Sequence, residues 1–245
     1  MHRFRKVFVA GIAASLLMVS FTSVVGASHR QATYRVTILN LTEGQPLTPP
    51  VLATHRRGYD VFTVGQMATN AVQQIAENGN PGPLLNRLDR SRRVSAVVAG
   101  DEPLVPLDSP GNLVNGFGNT WTTTITASRL ATRISWVSML ICTNDGFTGV
   151  DSLRLPRHVG GTKARYTAGY DAGTERNTEK FADIVPPCQG LIGVTGDPGT
   201  GESDPALATD GRIHHHPGIS GKADLMSDVH GWTHPVGLIV VQRIS

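Results

Sequence analysis

Charge and cysteine are scarce in this sequence, and several catalytic signatures are missing. Charged residues make up 17% of the 245 positions, while glycine and proline number 27 and 15. Such a composition suits many short strands joined by tight turns and long loops. Beyond the N-terminal segment no apolar run of membrane length occurs, so the chain carries no second candidate span. There is no Gly-x-Ser-x-Gly elbow and no His-Glu-x-x-His helix to place a nucleophile or a zinc-bound water. Gly196-Asp197-Pro198-Gly199-Thr200-Gly201 is glycine-rich, but it lacks the Lys-Ser/Thr ending of a phosphate loop and reads as a surface turn. No internal repeat is present.

What is there begins with an export signal. Arg3, Arg5 and Lys6 precede an almost unbroken apolar stretch from Val7 to Val25, and Val25-Gly26-Ala27 presents small or β-branched residues before a cut. Residues 1–27 therefore read as a cleavable signal peptide and 28–245 as one domain, secreted, periplasmic or held at the cell surface. The alternative is an uncleaved anchor, because the run approaches the ~20 residues that span a bilayer. No cysteine follows the cut, which argues against a lipid anchor.

Removing the signal changes the electrostatics. The formal net charge is +3, from 22 basic and 19 acidic residues. Arg3, Arg5 and Lys6 account for the whole excess, so the remainder is near neutral and nucleic-acid binding loses its support. Cys142 and Cys188, alone in an oxidising compartment, are expected to form a disulfide; two buried thiols that never meet are the alternative.

Strand signals dominate. Thr33–Leu41 alternates, with Tyr34, Val36 and Ile38 on one face. Segments 93–99, 121–127, 133–141 and 237–244 carry β-branched or aromatic residues. Val64–Ala76 shows helical spacing and is stopped by Asn78-Gly79-Asn80-Pro81-Gly82, and a short helical turn is expected near Leu84–Leu88. Residues 189–221 read as a long surface loop. Together these predict an all-β, antiparallel sandwich with one or two short helices.

Two acidic turns stand out, Thr143-Asn144-Asp145-Gly146-Phe147-Thr148-Gly149-Val150 and Tyr170-Asp171-Ala172-Gly173-Thr174-Glu175. Hard cations such as Ca²⁺ take six to eight oxygens from carboxylates, carbonyls and water, and acidic glycine turns at strand ends can supply them. Asp and Gly are also ordinary turn residues. The two segments resemble the paired hallmarks of the spondin N-terminal domain family, the Asp-Ala-Gly-Thr turn being the most specific. Further resemblance lies in Tyr34–Ile38, in Gln73–Pro81 and in Leu238–Ile244. The resemblance implies a C2-like β-sandwich that binds one calcium ion through Asp145, Asp171 and Glu175. It also implies a non-enzymatic protein of extracellular adhesion or recognition, with a protein or glycan ligand. Asn144 and Gly146 stand where the family has Pro and Trp, which predicts a looser loop around Asp145. Asp151 is a further acidic candidate but looks like the start of a strand.

A second metal reading centres on His214 and His216, which share a face in an extended segment. With His230 or His234 they could hold zinc or copper, and with Asp224 or Asp228 as base they could support a metal-dependent hydrolase. The rival reading is a set of imidazoles hydrogen-bonded within a polar loop. Arg87–Arg93 reads as a solvated basic face or an anion patch. Asn40-Leu41-Thr42 matches a glycosylation sequon, but within a strand.

Overall fold

The computed structural model describes residues 31–107, 116–196 and 199–245. Residues 1–30, which include the segment expected to be a signal peptide, residues 108–115 of the Pro- and Gly-rich stretch, and Asp197-Pro198 lie outside the described residues.

Ten strands and four short helices occur among the described residues. The strands are β1 (Ala32–Asn40), β2 (Val51–His55), β3 (Val94–Ala99), β4 (Thr120–Ala127), β5 (Arg133–Met139), β6 (Gly146–Arg154), β7 (Thr162–Thr167), β8 (Gly169–Asp171), β9 (His214–His215) and β10 (Gly237–Arg243). The helices are α1 (Asn70–Asn78), α2 (Gly82–Asp89), α3 (Cys188–Ile192) and α4 (Ser227–His230). All pairings are antiparallel, in a four-stranded sheet ordered β4-β1-β10-β7 and a six-stranded sheet ordered β3-β2-β5-β6-β8-β9. The all-β sandwich is as expected from the sequence. α3 and α4 go beyond the one or two helices expected, and each is only one turn long.

The period-2 alternation of β1 aims Tyr34, Val36 and Ile38 into the space between the sheets, where they join Ile125, Ile239 and Val241 of their own sheet and Trp136 of the facing one. β5 is different, because both of its faces are covered. Ile134 and Trp136 enter the core between the sheets, while Val137 and Met139 enter a second core under α1, α2 and α3. A strand buried on both faces loses the alternation that would mark it, and β2, with all five residues buried, hides in the same way.

α1 begins later than periodicity suggested. Gly65 adopts a left-handed φ of 86°, and the backbone turns there before Thr69 caps Asn70–Asn78 by accepting from the Val72 N–H. Gly79 ends the helix in the left-handed conformation (φ 62°), its N–H bonding back to Gln74 and Ile75. Segment 189–221 is not simply a surface loop. It contains α3 and β9 and buries Leu191, Ile192, Leu207, Ile213, His216 and Ile219. The Asn40 side chain is fully occupied inside, donating to the Gln45 and Leu104 carbonyls at 2.8 Å, which leaves it unavailable to a glycan.

Cys142 and Cys188 form a disulfide, with a Cα–Cα distance of 5.1 Å and a sequence separation of 46. Closing a loop of that length stabilises a fold by roughly 3–4 kcal/mol through the unfolded chain. The Cys142→Ser/Cys188→Ser double variant is therefore expected to melt about 10 °C lower, since 1 kcal/mol moves a domain of this size by roughly 2–4 °C. Calorimetry with and without reductant checks this: reductant should lower the wild-type transition and leave the variant's unchanged.

Candidate functional site

The register of the six-stranded sheet assembles the acidic end. Gly146 in β6 faces Asp171 in β8, and Asp171 faces His214 in β9. Asp145, one residue before β6, is thereby set beside the Asp171 turn, and the Ala172 N–H donates to its carbonyl. The Asp145 carboxylate closes that turn. Its Oδ2 accepts from the Thr174 N–H at 2.7 Å, the Glu175 N–H at 3.0 Å and the Thr174 hydroxyl. Its Oδ1 is buried and has no partner.

Asp171 is tied down in its own turn. Oδ1 accepts from the Gly173 N–H at 2.7 Å, and Oδ2 from Asn177 Nδ2 at 2.7 Å. His214 Nδ1 lies 3.7 Å from Oδ1, the only salt-bridge contact among the described residues. Gly173 adopts φ 72° with Arg212 and Gly211 backbone so close that a Cβ would sit at 2.7 Å, so the Asp-Ala-Gly-Thr turn requires glycine there.

Glu175 points to a different set of neighbours. Its Oε1 accepts from the Asp204 N–H at 2.9 Å, and the charge acting on it most strongly is Glu77, at the end of α1, followed by Asp145. Glu77 is buried, accepts at Oε1 from Gln73 Nε2 and leaves Oε2 unpaired. The three predicted acids are therefore neighbours in a chain, Asp171–Asp145–Glu175, continued by Glu77. They do not share one coordination sphere: among the described residues, no group of three or more His, Cys, Asp or Glu side chains is arranged to hold a metal ion.

Burial without a counter-ion shows in the proton affinities. Burial, and then the Asp171 charge, push the Asp145 carboxyl up to about 6, against the hydrogen bonds from Glu175 and Thr174. Burial and then Glu77, Asp145 and Asp204 push Glu175 up to about 7, against the Asp204 amide.

The loop around Asp145 is not loose. The Thr143 hydroxyl donates to the Leu140 carbonyl and accepts from the Gly146 N–H. Asn144 accepts from the Thr178 N–H and donates to the Asp183 carbonyl. A Cβ on Gly146 would come within 2.3 Å of Thr143 Oγ1, so small side chains are what let this loop close. Gln45, fully buried, accepts from the Cys142 N–H and donates to the Cys142 and His230 carbonyls. Neither Gln45 nor Glu77 carried a site signal in the sequence.

The histidines separate rather than converge. His214 is exposed, with Nδ1 on the Arg212 carbonyl. His216 is buried against Trp232, and its Nδ1 accepts from the Gly218 N–H at 3.0 Å. A neutral imidazole accepting at Nδ1 carries its proton on Nε2, so His216 has no lone pair left for a metal. Burial drives its pKa down to about 4, keeping it neutral. His230 does the same, with Nδ1 accepting from the Met226 N–H. His234 stacks near His215, not His216. Asp224 is occupied by the Phe181 N–H, and Asp228 opens the one-turn helix α4. The residues do not fit a zinc or copper centre.

Asp151 lies on a β-bulge where two residues of β6 oppose Ser135, and accepts from Val61 N–H and the Ser135 hydroxyl. Its role is to hold the strands together. Arg87 and Arg93 brace the 58–61 loop through its carbonyls, Arg87 also lying 5.7 Å over the Tyr59 ring.

The molecule is thus an antiparallel β-sandwich whose hallmark acidic turns meet at one end. The chain belongs to the Spondin_N family, whose model matches residues 46–182. The match includes α1, Asp145, Asp171 and Glu175, and leaves β1, β10 and the histidine segment outside. A comparison with curated proteins found no match.

The raised carboxyls set a pH prediction. A folded-state pKa above the unfolded one favours folding fully below the unfolded value and loses that contribution as pH rises through the folded value. In chelator, Asp145 therefore withdraws stability between about pH 4 and 6. His216, with a lowered pKa, acts in the opposite sense, withdrawing stability as pH falls from about 6.5 toward 4. Asp145→Asn isolates the first effect. Relative to wild type, it should gain roughly 2 kcal/mol of stability between pH 4 and pH 8, read as the pH dependence of urea midpoints.

Proposed function

We propose that this chain is a secreted, calcium-binding spondin-type module, a binding protein of extracellular adhesion or recognition and not an enzyme. The observation that carries the reading is a pair of almost completely buried carboxylates, Asp145 and Asp171, whose charges repel and which have no Lys or Arg partner among the described residues. The unpaired Asp145 Oδ1 is an oxygen directed at a missing partner, and all the groups on offer are hard oxygen donors.

Asp145 and Asp171 would hold the ion. Glu175, whose carboxyl also feels Asp145, would be the third acid after giving up the Asp204 amide. Bound calcium would supply positive charge and lock the two turns, which already share the Asp145 bridge. An oxidised Cys142–Cys188 pair and the absence, among the described residues, of any helix long and apolar enough to cross a membrane accord with export. Millimolar calcium outside the cell would fill even a modest site.

Added calcium should raise the melting temperature at neutral pH, and Asp171→Ala should abolish the increment while leaving the chain folded in chelator. Calorimetric titration that detects no binding at millimolar calcium would remove this reading.

A further inference from the structure

The opposite end of the sandwich gathers positive charge. Arg57, Arg129, Arg133, Arg154, Arg157 and Arg243 line one hollow of about 570 Å³, and no acidic side chain lines it. They come from the turn after β2, the β4–β5 turn, the first residue of β5, the last of β6, the loop after it and the end of β10. Among the described residues none of the six pairs with an Asp or Glu side chain. Arg243 spends its guanidinium on the Ser245 and Arg157 carbonyls. Arg133 is held below its usual proton affinity by burial and by the charges of Arg154 and Arg57. Six guanidiniums gathered with no Asp or Glu side chain between them repel one another, and an anion relieves that repulsion.

Three of the large exposed apolar residues lie within two positions of arginines that line the hollow, Leu130 after Arg129, Val159 beyond Arg157 and Ile244 after Arg243. Leu130 is 59% exposed in the β4–β5 turn, Val159 is 66% exposed in the β6–β7 loop, and Ile244 is 36% exposed beyond β10. Backbone hydrogen bonds hold their segments together: Leu155 N–H to the Thr132 carbonyl, Gly160 N–H to the Arg243 carbonyl, and Arg243 N–H to the Gly161 carbonyl. Guanidiniums with exposed apolar residues in the same turns match a layer of phosphate headgroups over acyl chains. The planar guanidinium fork suits phosphate oxygens, and the hollow is of a size for a headgroup. A soluble polyanion would use the arginines but have no use for Leu130 and Val159.

We propose that this arginine hollow and its apolar rim form a docking site for the surface of an anionic phospholipid membrane. The site lies at the other end of the molecule from Asp145 and Asp171 and works independently of calcium.

Co-sedimentation of the full chain in chelator with phosphatidylcholine–phosphatidylglycerol vesicles tests it. The protein should pellet with these vesicles at low salt, and stay in solution with pure phosphatidylcholine or at high salt. Arg154→Gln/Arg157→Gln should weaken partitioning by roughly thirtyfold, from the loss of two surface charges. Leu130→Ser/Val159→Ser should also weaken vesicle binding, yet leave retention on immobilised heparin unchanged. Absence of binding to anionic vesicles overturns the proposal. So does vesicle binding that Leu130→Ser/Val159→Ser leaves intact, which would make the hollow a site for soluble oxyanions. Both variants lie on the surface and should keep the wild-type melting temperature, so lost binding cannot be mistaken for unfolding.

Discussion

The pairing of β5 with β6 is the constraint on which the rest of the molecule depends. β5 feeds both cores, Trp136 between the sheets and Met139 under the helices, as its neighbours β2 and β6 also do. A strand closed on both faces cannot slip, because a shift of one residue would exchange the two side-chain sets between cavities of different shape. Gly149 enforces the same register, since a Cβ there would lie 2.1 Å from the Trp136 carbonyl. The two ends of this rigid pair carry the two charged poles. Arg133 and Arg154 face each other at one end, and at the other the chain between the strands holds Cys142 and Asp145.

The acidic pole is organised by hydrogen bonds more than by charge. One carboxylate, Asp145, ties the turn before β6 to the turn after β8 through three donors, and the disulfide and Gln45 hold the chain on its other side. Buried carboxylates in such a frame carry a desolvation penalty that hydrogen bonds offset only in part. The remaining penalty shows as the raised proton affinity of Asp145 and Glu175. Asn144 and Gly146 contribute to that frame: one clamps the 178–183 segment, and the other permits the Thr143 contact.

Charge segregation explains how residues 28–245, with almost no net charge, can gather arginines at one end of the sandwich and buried carboxylates at the other. Near-neutrality outside residues 1–27 speaks against a uniformly basic protein, but net charge carries no information about position. Arginines at 57, 129, 133, 154, 157 and 243 come from four separate stretches of the chain with no shared motif, and only the strand order places them around one hollow. The one basic run that sequence did mark, Arg87–Arg93, supplies instead the arginines that support the 58–61 loop.

Local physics was legible in the residues: the alternation of β1, the Gly79 stop of α1, the glycine-dependent Asp171 turn, two cysteines with only each other for partners, and the sandwich class. Elements whose signal is erased by burial on both faces, β2 above all, were not legible, nor was the short pairing of β9 within a segment rich in loop residues. Tertiary structure alone decided that Asp145 bridges to the Asp171 turn while Glu175 turns toward Glu77, that His216 is a buried neutral imidazole, and that six arginines share a hollow. Periodicity, caps and turns are set by neighbours in the chain, whereas register, burial and the meeting of distant charges depend on which strands lie side by side.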